Sequence, residues 1–202
     1  MLKKLLKSGD KKNTLLWVML SMAVIGLIGS FVLSIETINH LKNPDAELSC
    51  SISPLINCAT VMDSWQAEIF GFPNILIGLM GFAVLITIIV VALAGAKLPR
   101  WIVMWTQLAI MGAFVFLGWL MYSSLFVIQV LCPWCVVVAF STIVLLWAST
   151  RWSLKQNAIN FSKKTNKSIQ KFIDQSFDTL IFAVIFVGLA LYLFARYVLN
   201  IV

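Results

Sequence analysis

The sequence predicts an all-α integral membrane protein, and three observations carry that prediction. Hydrophobic residues make up 61% of the chain against 11% charged. The apolar residues gather into five stretches, each about one membrane crossing long. The basic residues concentrate in the segments on one side of those stretches. A soluble globule of this composition would leave most of its surface as uncovered apolar area. A helix needs about 20 apolar residues to cross a hydrocarbon core roughly 30 Å thick. The 202 residues therefore accommodate five crossings with modest loops, and the chain is expected to form one membrane domain. The expected spans are about 14–35, 74–96, 101–124, 131–149 and 179–198.

Each element has its own signal. Lys3, Lys4, Lys7, Lys11 and Lys12 precede an uncharged stretch from Asn13 to Ile35. This stretch is longer than the apolar region of a signal peptide and has no small-residue cleavage site, so it reads as a retained first span. Glu36 marks its end, and residues 36–73 form a polar, mostly acidic outer loop. Within that loop Asn57 is placed to cap a short helix. Val61, Met62, Trp65 and Ile69 are spaced as one apolar face of that helix, which would lie on the membrane like a lid. The second span follows Pro73, and Lys97, Pro99 and Arg100 make a tight inner turn. The third gives way near Tyr122 to Ser124, and its connection to the fourth is short. Residues 150–178 form an inner basic linker, in which Ile169, Phe172, Ile173 and Phe177 are spaced as an interfacial helix before the fifth span.

Thirteen of the fifteen Lys and Arg fall in the segments assigned to the inner side, leaving Lys42 and Arg196 outside. That bias places the N-terminus in the cytoplasm. It also accounts for the net charge of +7 without nucleic acid. On this topology Cys50, Cys58, Cys132 and Cys135 all face the outer side, where disulfide chemistry persists.

The chemistry gathers at Leu131-Cys132-Pro133-Trp134-Cys135. A Cys-x-x-Cys pair spans one helical turn, which suits a disulfide that opens and closes. Pro133 suits the first helical position, and the amides of the helix it opens would stabilise a thiolate at Cys132. Counting back from Arg151 at about 1.5 Å per residue puts Cys132 at the outer edge of the lipid core and Cys135 one turn deeper. The loop pair can deliver a sulfur to Cys132 and exchange a disulfide through a mixed intermediate. Cys58, beside the capped helix, is the expected contact; Cys50, farther from the membrane anchor, is expected to meet a soluble protein. Two blander readings stay open: static disulfides, and a metal-handling or scaffold protein with passive cysteines. Asn74 at the mouth of the second span suits the carbonyl of a lipid-soluble ligand or a helix cap equally. His40 reads as an ordinary loop residue.

Taken together, these residues resemble the vitamin K epoxide reductase family, in particular its bacterial members. The resemblance rests on Cys50 and Cys58 in the first outer loop and Ser64 after them. It continues through Phe70-Gly71-Phe72-Pro73-Asn74 with Gly78, and Cys132-Pro133-Trp134-Cys135 at the fourth span, covering roughly Leu15 to Ala148. It implies a four-helix transmembrane bundle around a quinone, menaquinone or ubiquinone, with a fifth transmembrane helix appended and no metal. Cys135 would face the quinone, Cys132 would exchange with the loop pair, Asn74 would hydrogen-bond a quinone oxygen, and Ser64 would support the same site. Ala139 departs from the Tyr that vertebrate members carry there, which bears on epoxide reduction. With no thioredoxin-like domain following, the partner is expected to be a separate extracytoplasmic thioredoxin-fold (DsbA-like) protein.

The expected function is a thiol oxidase of the bacterial cytoplasmic membrane, its active site facing outward, that reoxidises this partner and passes the electrons to a membrane quinone. The alternative within the same chemistry is a quinone or quinone-epoxide reductase that uses a thiol donor.

Overall fold

The computed structural model describes residues 11–43, 48–51, 53–156 and 188. The chain divides between residues 158 and 159 into two units, and residues 11–156 lie in the first. The fifth expected span and most of the basic linker lie outside the described residues.

The described elements are helical. α1 runs Lys11–Lys42, α2 is the five-residue Cys58–Met62, and a 3₁₀ turn covers Trp65–Glu68. α3 is Ile75–Leu93, and α4 is Arg100–Tyr122, which continues into a π turn over Ser123–Ile128. α5 runs Pro133–Lys155. Among the described residues, four segments are long and apolar enough to cross a membrane: Thr14–Lys42, Ile75–Leu93, Arg100–Ile128 and Pro133–Leu154.

Helix length positions the site. At about 1.5 Å per residue, the 19 residues of α3 just cover a core roughly 30 Å thick, whereas the 32 of α1 overreach it by several turns. Glu36 ends the apolar stretch but not the helix, because a helix continues wherever its backbone hydrogen bonds and one packed face continue. Ser30, Leu33, Ser34, Thr37 and His40 are all buried and recur at helical spacing.

α1 packs against both α3 and α5, and α4 packs against α5. The core between them joins Leu16, Met19 and Ala23 of α1 to Phe82 and Ile89 of α3, Val103 and Ile110 of α4, and Leu145 and Trp152 of α5. Inside lipid no hydrophobic drive pulls helices together, so close fit decides. At Gly26 a Cβ would lie 2.4 Å from the Phe82 ring, and at Gly29 one would lie 3.1 Å from Val138. The two glycines let α3 and α5 approach the α1 backbone. A second cluster holds Leu33, Leu48, Cys50, Cys58 and Cys132, with Met62, Ile75, Trp134 and Cys135 packed against it.

Candidate functional site

The loop is shaped by side chains that start and stop short helices. Asn57, in extended backbone, accepts the Thr60 N–H at 3.4 Å and caps α2, so the helix begins at Cys58. It ends five residues on because Ser64 takes over the carbonyl of Val61: its hydroxyl donates to that oxygen at 2.6 Å and its amide at 3.3 Å. In a continuing helix Trp65 would bond that carbonyl. The single helical face expected through Val61, Met62, Trp65 and Ile69 is therefore broken at Ser64. Val61 and Met62 pack on the cysteine cluster. Trp65 turns outward to meet Trp119 of α4, with ring centroids 6.0 Å apart, and Phe70 meets Phe116 at the same spacing.

A short piece of backbone pairing sets the loop against the second cysteine pair. Ile56 and Leu131 form an isolated parallel bridge. Leu131 N–H donates to Leu55 O at 2.9 Å, and Asn57 N–H donates to Leu131 O at 3.2 Å. Since Cys58 follows Asn57 and Cys132 follows Leu131, this register brings the two sulfurs together. Behind Leu131, Ser124 in the π turn accepts the Val130 N–H at 3.2 Å on its carbonyl and donates its hydroxyl to Val130 O at 2.5 Å. Gln129 makes the reversal in left-handed backbone, φ 60°.

Cys50 and Cys58 are joined in a disulfide, and Cys132 and Cys135 are free thiols. Cys58 Sγ lies 3.4 Å from Cys132 Sγ. Cys132 is the N-cap of α5 and Pro133 holds the first position inside it. The Cys132 sulfur accepts the Cys135 N–H at 3.3 Å. Just outside the apolar helix, the Cys132 thiol is held below the ordinary thiol range. The Cys135 thiol hydrogen-bonded to it is the largest cause, and the amides of Cys135 and Trp134 add to it against burial, which pushes the other way. Cys50 is 3% exposed, Cys58 0% and Cys132 1%, so none of these sulfurs faces solution. The greater availability expected of Cys50 is not seen in this arrangement.

Asn74 does not cap α3, since its side chain makes no cap bond. Its Nδ2 instead donates to Gln66 O at 2.7 Å and its backbone N–H to Ala67 O at 2.9 Å, tying the 3₁₀ turn down. Its Oδ1 is buried with no partner. Buried polar atoms are nearly always paired, so such an orphan suits a ligand's hydroxyl, and the second Nδ2 hydrogen suits a carbonyl. The amide can thus meet either a hydroxyl or a carbonyl of a ligand.

The sequence reading passed over several side chains here. His40, expected in a loop, lies on α1 and its Nε2 meets Asp63 Oδ1 at 2.8 Å. Ser124 and the backbone pairing at Leu131 were also missed. The buried spacing from Ser30 through His40 was a usable signal for the first; nothing local marks the others.

Residues 17–150 match the model of the vitamin K epoxide reductase family. No individual curated protein matches the chain. The family match takes in both cysteine pairs and most of each of the four described apolar helices that bring them together, over well more than half the chain, and the protein belongs to the vitamin K epoxide reductase family.

Proposed function

We propose that this protein oxidises the dithiol of a separate extracytoplasmic thioredoxin-fold, DsbA-like protein and delivers the two electrons to a membrane quinone, from the outer face of a bacterial cytoplasmic membrane. Family membership gives the coarser activity, a membrane oxidoreductase linking thiols to quinone. The partner and the direction are our reading. The observation that carries it is the 3.4 Å separation of Cys58 Sγ and Cys132 Sγ, which is within reach for sulfur-to-sulfur attack.

The relay balances at each step. The partner's thiolate attacks the Cys50–Cys58 disulfide; its second thiol then closes the partner's own disulfide, and the loop pair is left as two thiols. Cys58 as thiolate attacks Cys132 of an oxidised Cys132–Cys135 pair, and Cys135 leaves as thiolate. Cys50 then attacks Cys58, restoring the loop disulfide and freeing Cys132. The structure corresponds to this point: loop oxidised, Cys132 and Cys135 reduced. The quinone accepts two electrons and two protons from that pair, which returns to the disulfide. Cys135, one turn deeper than Cys132, is the thiol on the lipid side. Asn74 would hold the quinone oxygen, and Ser64, by stopping α2, would keep the lid segment in place over it.

Reduction of a quinone by the purified protein with a dithiol donor tests this. Cys135→Ala is expected to abolish turnover while leaving the Cys50–Cys58 disulfide reducible. Turnover at the unmodified rate in that variant would remove Cys135 from the relay.

A further inference from the structure

The relay makes two opposed demands on one loop. Transfer between Cys58 and Cys132 needs the loop seated, as it is here, whereas an outside thiolate needs a sulfur of the Cys50–Cys58 disulfide, and both are buried. Beside the Ile56–Leu131 bridge, the overhang of α1 also seats the loop. Glu36 takes the hydroxyl of Ser49, the neighbour of Cys50. Thr37 Oγ1 lies 3.7 Å from Met62 Sδ at the end of α2. His40 Nε2 lies 2.8 Å from Oδ1 of Asp63, the residue that caps the C-terminus of α2.

The third contact is the one suited to open and close. A carboxylate at that distance needs its proton from Nε2, and Nδ1 is buried with no partner, so Asp63 is the imidazole's polar anchor. The His40 side chain is 11% exposed and that of Asp63 66% exposed. The pair therefore joins a fixed residue on a rigid helix to a wetted residue on the loop. Parting them strands no buried charge, because Asp63 already faces water.

We propose that His40 is a positioning residue: through Asp63 it clasps the α2 segment against α1, favouring exchange between Cys58 and Cys132 and shielding the loop disulfide from outside thiols. The purpose of this clasp rests on the thiol-oxidase reading, but its test does not. Opening the clasp exposes the disulfide to a dithiol, whose first sulfur bonds to a loop sulfur as the Cys50–Cys58 bond breaks. The donor's second thiol completes the exchange, leaving the donor oxidised and the loop pair reduced.

The experiment compares two rates in the purified full-length protein. One is reduction of Cys50–Cys58 by dithiothreitol, followed by maleimide trapping and mass spectrometry. The other is formation of the Cys58–Cys132 bond under mild oxidation in a Cys50→Ala, Cys135→Ala background. His40→Ala is expected to speed the first and slow the second, each by about five-fold, the scale of one partly exposed hydrogen bond. Asp63→Ala, which empties no core volume, is expected to do the same, and His40→Gln, which keeps an N–H donor, to restore both rates toward the original. Rates unchanged in both alanine variants, or both rates moving in the same direction, would overturn the proposal. Because neither measurement uses quinone, a protein that fails to reduce quinone would sink the oxidase reading and leave the clasp standing.

Discussion

Cys132 combines two tasks in one sulfur atom: it caps α5 through the Cys135 amide and touches Cys58 across the loop. The Cys135 thiol is the largest cause of its lowered pKa. Cys135→Ala is therefore expected to raise the Cys132 pKa toward that of an ordinary thiol, because the remaining amides still favour the thiolate but burial opposes it. Ultraviolet absorbance of the thiolate against pH reads this; an unchanged midpoint would assign the effect to the helix amides alone. Asn74 makes the complementary prediction at the other side of the site. Losing one amide contact is worth about 1 to 1.5 kcal/mol, so Asn74→Ala is expected to raise the KM for quinone roughly ten-fold. An unchanged KM would confine Asn74 to holding the 3₁₀ turn through Gln66. At this scale the sequence was informative wherever a residue's chemistry is unusual. Cysteines, a proline in a Cys-x-x-Cys and an Asn before a short helix all carry their meaning locally. His40 and Ser124 carry theirs only through Asp63 and Val130, which lie 23 and 6 residues away.

Among the elements, the turn between α4 and α5 shows most clearly how backbone geometry serves the site. A π turn is uncommon and tends to occur where function needs it. Here it buries Ser123 and Ser124 and lets Ser124 grip Val130 from both sides, which aligns Leu131 with Leu55 and Asn57. Ser124→Ala keeps the carbonyl bond and loses the hydroxyl bond. It is expected to cost about 1 kcal/mol of stability and to slow Cys58–Cys132 bond formation several-fold, since the register of Leu131 loosens. Unaltered bond formation would mean the backbone bridge alone sets the register. Hydropathy located α1, α3, α4 and α5, because lipid demands long uncharged runs. It placed the end of α1 at Glu36, where the apolar run stops, although the helix reaches Lys42. Charge marks where a helix leaves the hydrocarbon; packing and hydrogen bonds mark where it ends. The lid was misread for the opposite reason: an apolar spacing suggested one helix, and a single Ser hydroxyl bonded to Val61 O divides it.

For the molecule as a whole, the α1 overhang, the π turn at the end of α4 and the N-cap of α5 converge at one end of the bundle, and the two cysteine pairs meet there. The arrangement was legible in outline because membrane topology forces all loops of one parity to the same side, so two pairs on such loops lie at the same end of the bundle. Which sulfurs touch was not fixed by that reasoning. It depends on the Ile56–Leu131 register, a contact between segments more than 70 residues apart, acting together with the local caps at Asn57 and Cys132. In the proposed relay, electrons cross between the pairs by direct exchange between Cys58 and Cys132. The most direct measurement of this step is intact-mass and peptide analysis of the Cys50→Ala, Cys135→Ala protein after mild oxidation. An intramolecular Cys58–Cys132 disulfide is expected in most molecules; two freely alkylated thiols in a folded protein would rule that exchange out.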